Sequence, residues 1–145
     1  MIFWFTGQSG AGKTTVVDGV QKARPHFVVL DGNEMRHSIS LGAGFSKEER
    51  TEHNYRVARL ANVLSKRGHT VLVAVIAPFN DVRREIEKIC MPIWVYLDRP
   101  SLAISEERPY EPPMFPALVL STDEEMEELS IERCMRFIDG LVRTQ

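Results

Sequence analysis

A glycine-rich loop near the start of the chain constrains its fold more than any other feature. Residues 7–14 read Gly-Gln-Ser-Gly-Ala-Gly-Lys-Thr and directly follow the apolar run at 2–6. This G-x-x-x-x-G-K-T pattern requires a buried strand before the loop and a helix after it. Glycines allow backbone angles that turn successive N–H groups inward, and the positive end of the following helix completes an anion site.

Such a loop predicts the binding of a nucleoside triphosphate. We expect Lys13 to reach the β- and γ-phosphates of ATP and the Thr14 hydroxyl to ligate Mg²⁺. The predicted phosphate-binding residues are Gly7, Gln8, Ser9, Gly10, Ala11, Gly12, Lys13, Thr14 and Thr15. The sequence contains neither the guanine-reading Asn-Lys-x-Asp of GTPases nor an apolar run leading directly into Asp-Glu, the usual ATPase base. A small phosphotransferase is therefore favoured over a GTPase or an ATPase.

Composition limits the classes of partner. The 145 residues are 43% hydrophobic and 26% charged, with a net charge of -2, which predicts one globular domain over residues 1–145. So balanced a charge gives no general attraction for nucleic acid or anionic membranes, and no apolar run approaches the roughly 20 residues of a membrane span. We expect a cytoplasmic protein with a small nucleotide substrate. Cys90 and Cys134 are expected to be reduced core thiols, with a disulfide as the alternative.

Strands and helices alternate along the chain. Apolar runs predict strands at 2–6, 27–32, 70–77, 93–98 and 117–122, whereas helical patterns cover 14–23, 33–40, 46–67, 80–89 and the stretch from 123 onward. This alternation predicts an α/β protein of the P-loop NTPase fold. Its five-stranded parallel sheet should have the order 2-3-1-4-5, with helices on both faces.

Helix caps and inner faces can also be predicted. Ser46 with Glu49 forms a capping-box pattern, Asn80 or Asp81 should cap the fourth helix, and the stretch 122–125 should cap the last one. The inner faces should then carry Val57, Leu60, Ala61 and Leu64 in the third helix, and Met126, Leu129, Phe137, Ile138 and Leu141 in the last.

Ligands of such sheets bind beyond the carboxyl ends of the strands, so the residues there carry the candidate chemistry. Asp31 is either a proton acceptor that also orders magnesium waters or a simple turn residue. Arg36 either grips a phosphate or sulfate or is a solvated charge. Arg50 and Arg56, on the next helix near Phe45, either help to bind an anionic, ring-bearing substrate or are solvated charges. Phe45, after two glycines, is either a base-stacking platform or a buried hydrophobic staple.

Five segments together resemble the adenylylsulfate kinases. They are WFTGQSGAGKTT at 4–15, LDGNEMRHSISLGAGFSKEER at 30–50, VLVAVIAPFNDVRREI at 71–86, VYLDRP at 95–100 and YEPP at 110–113. Members of this family transfer the γ-phosphate of ATP to the 3′-hydroxyl of adenosine 5′-phosphosulfate, and the resemblance implies this reaction here. The alternatives are a relative acting on another nucleotide or a modified base, and a catalytically weak ATP-binding module. Members of the family often pair, so a homodimer is also implied.

The resemblance implies a role for each candidate. Asp31 matches the proposed base and metal organiser, Arg36 the arginine that contacts phosphosulfate, and Phe45 the ring that stacks on the substrate adenine. Other matched positions near the substrate are Arg50, His53, Arg56, Ile76, Ala77 and Pro78.

The chain also departs from the family pattern. Asn33 replaces a second aspartate, and TEHNYR at 51–56 stands where the family has Glu-Asn-Ile-Arg-Arg, so that His53 falls at a substrate-binding asparagine. Only residues 99–109 separate the fourth strand from Tyr110, where the family has a lid carrying the second aromatic of an adenine clamp. Arg108 is a weakly supported candidate for the role of a lid arginine. Slow turnover, a changed acceptor or closure by a partner should follow, with weaker adenine selectivity.

Overall fold

A computed structural model describes residues 1–143, which form five strands and five helices. The strands are β1 (Ile2–Thr6), β2 (Val28–Asp31), β3 (Val71–Ala74), β4 (Ile93–Asp98) and β5 (Leu118–Ser121). The helices are α1 (Lys13–Ala23), α2 (Gly32–Arg36), α3 (Lys47–Lys66), α4 (Asn80–Cys90) and α5 (Glu127–Val142). Two residues of the predicted domain, 144 and 145, lie outside the described range.

All five strands are parallel and lie in the order β2-β3-β1-β4-β5, which confirms the predicted sheet. β1 lies at its centre, and each of its five residues is buried. Trp4 pairs in register with Val73 on one side and Trp94 on the other, and the two indole rings lie 5.5 Å apart. The carboxyl ends of the strands therefore meet at one edge of the sheet, where the glycine-rich loop leaves β1.

Helices cover both faces, so alternate residues of β1 enter two different cores. Ile2 and Trp4 pack with α3 and α4, whereas Phe3 and Phe5 pack with α1 and α5. Cys90 lies in the first core and Cys134 in the second, and both are free and buried. Burial raises the pKa of each thiol to about 12, so both remain protonated at neutral pH. The prediction of two reduced core thiols is confirmed.

Two predicted elements end earlier than expected. α2 stops at Arg36 rather than Ser40, because the Ser38 hydroxyl donates to the Glu34 carbonyl at 2.7 Å and competes with helix continuation. β3 stops at Ala74 rather than Ala77, since Ala77 has a positive φ of 46° that no strand accommodates. The three residues after β3 therefore curve along the edge of the sheet.

Of the three predicted caps, the one at α3 is present, and those at α4 and α5 are not. Ser46 caps α3 as expected, accepting from the Glu49 N–H at 3.1 Å. The prediction that Asn80 or Asp81 caps α4 is wrong, because Phe79 occupies the cap position and the Glu111 carboxylate accepts from the Asn80 N–H. A carboxylate distant in sequence thus provides the cap.

The start of α5 was also predicted incorrectly. The helix begins at Glu127 rather than Asp123, since the Asp123 carboxylate accepts from Ser101 and Arg99 instead of capping a helix. Met126 and Leu129 are consequently 73% and 47% exposed and do not belong to the inner face. The other predicted inner-face residues, Phe137, Ile138 and Leu141, do face the core. No helix within residues 1–143 has the length and apolar character that a membrane crossing requires.

Arg83, in the first turn of α4, joins residues 77–80 to the stretch after β4. Its side chain is buried, with donors to the Ala77 carbonyl at 2.5 Å, to Asn80 and to the Glu111 carbonyl, and its guanidinium lies over the Tyr110 ring. These bonds fix residues 77–80, which border the edge of the sheet where the glycine-rich loop lies.

We predict that Arg83→Met lowers the free energy of unfolding by about 3 kcal/mol, because it leaves buried acceptors without a donor. Urea denaturation measures the loss. The adjacent Arg84→Met is the matched control, since Arg84 is exposed, and it should change stability by less than about 0.5 kcal/mol. Equal losses for both variants would contradict the bridging role.

Candidate active site

A cleft of about 590 Å³ opens at the carboxyl edge of the sheet, large enough for small-molecule ligands. The glycine-rich loop, the start of α2, one face of α3, residues 74–78 and the connection after β4 line it. Most of the predicted site residues are among the lining: Gln8, Ser9, Gly10, Gly12, Lys13, Thr14, Thr15, Asp31, Arg36, Phe45, Arg50, His53, Ile76, Ala77 and Pro78.

Three predicted site residues lie elsewhere. Gly7 and Ala11 are buried residues of the loop itself, which support its shape rather than line the cleft. A side chain at Gly7 would place its Cβ 2.9 Å from the Leu97 carbonyl oxygen, so only glycine fits there. Arg56 is outside the cleft lining, and its guanidinium lies 3.8 Å from the Glu52 carboxylate on the same helix.

Backbone geometry shapes the glycine-rich loop. Gly10 and Gly12 have φ of 88° and 102°, values that favour glycine. Gly12 is the N-cap of α1 and accepts from the Val16 N–H at 3.0 Å, so the helix begins at the loop itself. The first N–H groups of a helix have no partner within it, which makes this end of α1 suitable for an anion.

The Lys13 side chain folds back onto the loop. Its Nζ donates to the carbonyl oxygens of Gly7 and Gln8, both at 2.8 Å, and the residue is only 8% exposed. Burial lowers the pKa of Lys13 to about 8, while the nearby Asp31 carboxylate opposes the shift. The ammonium is thus held within the loop where incoming phosphate oxygens would meet it.

Asp31 lies against the glycine-rich loop although β3 separates their strands in the sheet. The Thr14 hydroxyl donates to Asp31 Oδ2 at 2.9 Å, and the Asn33 N–H donates to Oδ1 at 3.0 Å. Asp31 also caps α2, so the two interpretations of this residue are compatible. Its carboxylate and the Thr14 hydroxyl are hard oxygen donors of the kind that Mg²⁺ prefers.

Positive charge and an aromatic ring meet on the opposite side of the cleft. The Phe45 side chain is 67% exposed and therefore is not a buried staple. The Arg36 and Arg50 guanidinium carbons lie 4.4 Å and 5.7 Å from the centre of its ring. Burial, together with the charge of Arg50, lowers the pKa of Arg36 from its ordinary value. This wall can bind an anionic group beside a planar one.

Two polar residues of α3 complete this wall. His53 is 3% exposed, and its Nδ1 lies 2.7 Å from the Ser40 hydroxyl. Burial and the charges of Arg36 and Arg56 lower the pKa of His53 to about 4, so the ring is neutral at physiological pH. Asn54 is 2% exposed and also lines the cleft, although nothing in the sequence patterns pointed to it.

The short connection after β4 forms a further wall, of which the sequence analysis named only Arg108. Its residues in the cleft lining are Arg99, Leu102, Ala103, Glu107, Arg108 and Pro109. Arg99 donates to the Gly10 carbonyl, Gln8 donates to the Ala103 carbonyl, and Arg50 donates to the Glu107 carbonyl, each at 3.1 Å. The connection therefore lies along the glycine-rich loop and touches α3. Its position directly after the carboxyl end of β4 was the sequence signal for this wall, because ligands of parallel sheets bind beyond the carboxyl ends of the strands.

We predict that ATP binding takes up close to one proton at about pH 9. Free Lys13, with its pKa near 8, is mostly neutral there, and triphosphate charge favours its ammonium form. Calorimetry in two buffers of different ionisation enthalpy measures the uptake. Lys13→Met should abolish it, whereas Lys22→Met, an exposed change in the same helix, should not. Binding without proton uptake would show that Lys13 is already charged.

The family model for adenylylsulphate kinase matches residues 1–111. An adenylyl-sulfate kinase of Gloeothece citriformis is 34% identical over an alignment of 165 positions, which covers 95% of this chain and 93% of the relative. One from Deinococcus deserti is 37% identical, with coverages of 84% and 82%. The first alignment is longer than this chain of 145 residues, as expected where the relative has segments that are missing here.

A solved structure gives the same assignment. The APS kinase CysC of Mycobacterium tuberculosis in complex with AMPPNP and APS matches with a TM-score of 0.79 and 28% identity, over 92% of this chain and 94% of that chain. The glycine-rich loop and the sheet order agree with a kinase of the P-loop class that uses ATP. The chain belongs to the adenylylsulphate kinase family and is an ATP-dependent kinase.

Proposed function

We propose that this protein transfers the γ-phosphate of ATP to the 3′-hydroxyl of adenosine 5′-phosphosulfate. The observation that carries the proposal is the Asp31 carboxylate, which lies in the cleft and accepts a hydrogen bond from Thr14 of the phosphate loop at 2.9 Å. Support also comes from the relatives named adenylyl-sulfate kinase and from the mycobacterial structure with AMPPNP and APS.

ATP would bind through residues of the glycine-rich loop. Its β- and γ-phosphates would meet the first turn of α1 and would draw the Lys13 ammonium away from the Gly7 and Gln8 carbonyls. The Thr14 hydroxyl would hold Mg²⁺, with Asp31 nearby and the other ligands coming from phosphate oxygens and water. Bound magnesium neutralises charge on the phosphates during transfer.

The acceptor would bind against the wall opposite the loop. Arg36 and Arg50 offer charge-assisted hydrogen bonds to the phosphosulfate group, and the Phe45 ring offers a stacking surface to the base. His53, neutral and oriented by Ser40, contributes a hydrogen bond. Residues 76–78 line the same pocket.

The transfer step requires that the 3′-oxygen of the acceptor attack the γ-phosphorus of ATP and that a nearby group accept the hydroxyl proton. The 3′-oxygen of the acceptor forms a bond to the γ-phosphorus, the bond to the bridging oxygen breaks, and ADP leaves. Asp31 accepts the hydroxyl proton as that oxygen attacks. Arg108, in the short connection, adds positive charge to this side of the cleft.

A second acceptor class has one observation in its favour. Phe45 is the one aromatic side chain among the cleft-lining residues of the described chain, so a base is stacked on one face only. Stacking discriminates poorly between bases, so another 5′-activated nucleotide could serve as the acceptor.

Three further expectations stay predictions from the sequence. They are a single domain, a cytoplasmic location and pairing into a homodimer.

We predict that adenylylsulfate is phosphorylated faster than any other acceptor in a panel of nucleotides. The panel contains adenosine, guanosine and cytidine 5′-phosphates alongside adenylylsulfate, each incubated with γ-labelled ATP and magnesium. Chromatography should identify the product as phosphorylated at the 3′ position. Faster labelling of a different acceptor would instead support the second class.

We predict that Asp31→Asn lowers the turnover number by about 10²–10⁴-fold, because asparagine cannot accept the hydroxyl proton. The affinity for ATP should change by less than about threefold, since Asn keeps an oxygen toward Thr14. Steady-state kinetics and calorimetry measure the two effects. The control is Asp18→Asn, an exposed change on α1. Unchanged turnover in Asp31→Asn would remove this carboxylate from the transfer step.

A further inference from the structure

Three buried side-chain atoms among residues 1–143 have no hydrogen-bond partner: Arg50 Nε, Asn54 Oδ1 and Thr122 Oγ1. Two of the three belong to α3, lie one helical turn apart and come from residues that line the cleft. Buried polar atoms in folded proteins are nearly always paired, and an unpaired one is costly. Two such atoms on one wall of a binding cleft therefore indicate that a ligand supplies their hydrogen-bond partners.

The orientation of the Asn54 side chain is fixed by its other end. Asn54 Nδ2 donates to the Arg50 carbonyl oxygen at 2.8 Å. Exchanging the amide nitrogen and oxygen would bring two acceptor oxygens together, so Oδ1 has to face away from that carbonyl. Asn54 is 2% exposed and belongs to the cleft lining, so Oδ1 is an acceptor without a partner at the cleft wall.

The Arg50 side chain is held in a similar manner. Its Nη2 donates to the Glu107 carbonyl at 3.1 Å, which leaves the Nε–H unused. The guanidinium lies 5.7 Å from the centre of the exposed Phe45 ring. An unused donor and an unused acceptor therefore lie one helical turn apart on α3, in residues that line the cleft together with Phe45.

We propose that Asn54 Oδ1 and Arg50 Nε read the base of the acceptor nucleotide, selecting adenine. The exocyclic amine of adenine donates to Oδ1, and the adjacent ring nitrogen accepts from the Nε–H. A 6-oxo purine such as hypoxanthine presents a carbonyl oxygen to Oδ1, where two acceptors repel. This inference rests on the proposed function, because it takes the Phe45 wall as the acceptor site.

Hydrogen bonds to the base would also compensate for the second stacking ring, which the short connection after β4 does not provide. One-sided stacking on Phe45 holds any base, whereas buried hydrogen-bonding groups reject a ligand that leaves them unpaired. Asn54 stands where the Glu-Asn-Ile-Arg-Arg pattern has isoleucine, so the acceptor atom and the shortened connection occur together in this chain. Asn54 is accordingly a specificity-determining residue.

The test compares adenylylsulfate with its inosine counterpart. We expect kcat/KM and calorimetric affinity of the unaltered protein to favour the adenine compound by about tenfold or more. Asn54→Leu, which keeps the shape, and Asn54→Ile should both reduce this preference to less than about threefold. Asn62→Leu, a matched change further along α3 and outside the cleft lining, should keep it.

The outcomes separate this inference from the proposed function. Turnover of adenylylsulfate with an adenine preference that both Asn54 variants retain would overturn the role of Asn54 and leave the reaction intact. An adenine preference in binding that the variants lose, without any turnover, would support base reading and overturn the proposed reaction. Absence of binding of either compound to the unaltered protein would overturn both. Melting temperatures of all variants establish that a lost preference is not a loss of folding.

Discussion

The contact between the Thr14 hydroxyl and the Asp31 carboxylate, at 2.9 Å, is the interaction on which the rest of the site depends. Thr14 follows β1 and Asp31 ends β2, and β3 lies between these strands in the sheet. The contact is available because β3 ends at Ala74, in register with Asp31, and the chain then curves away through the positive φ of Ala77. A longer β3 would extend between the carboxylate and the phosphate loop.

The two sides of the cleft carry different chemical groups. The loop side has a helix N-terminus and a partly desolvated lysine, which suit the triphosphate of ATP. The opposite side has two arginines around an exposed ring, which suit an anionic nucleotide. The connection after β4 borders both sides, since it contacts the loop through Arg99 and α3 through Glu107. With so short a connection, less of the cleft can be covered, and more of the specificity falls to polar groups on α3.

Most of the fold and of the loop could be predicted from local sequence, because strand–loop–helix spacing and apolar periodicity are properties of neighbouring residues. Several of the failures involve partners distant in the chain. Glu111 caps α4 in place of Asn80, and Asp123 binds Ser101 and Arg99 instead of starting α5. Asn54 escaped notice because a polar residue on a helix usually faces solvent, and only the packing of α3 shows that it is buried. Arg56 was predicted to lie near the substrate from its place on the helix after Phe45 and from the resemblance, but its position on α3 directs it toward Glu52 instead.

A crystal structure with adenylylsulfate and a non-hydrolysable ATP analogue tests most directly whether the phosphate loop and Asp31 work on one acceptor. We expect the triphosphate on residues 7–15, the adenine of adenylylsulfate on the Phe45 ring, and the 3′-hydroxyl within hydrogen-bond distance of the Asp31 carboxylate. Adenylylsulfate bound with its 3′-hydroxyl directed away from Asp31, or bound outside the cleft altogether, would contradict the proposed reaction.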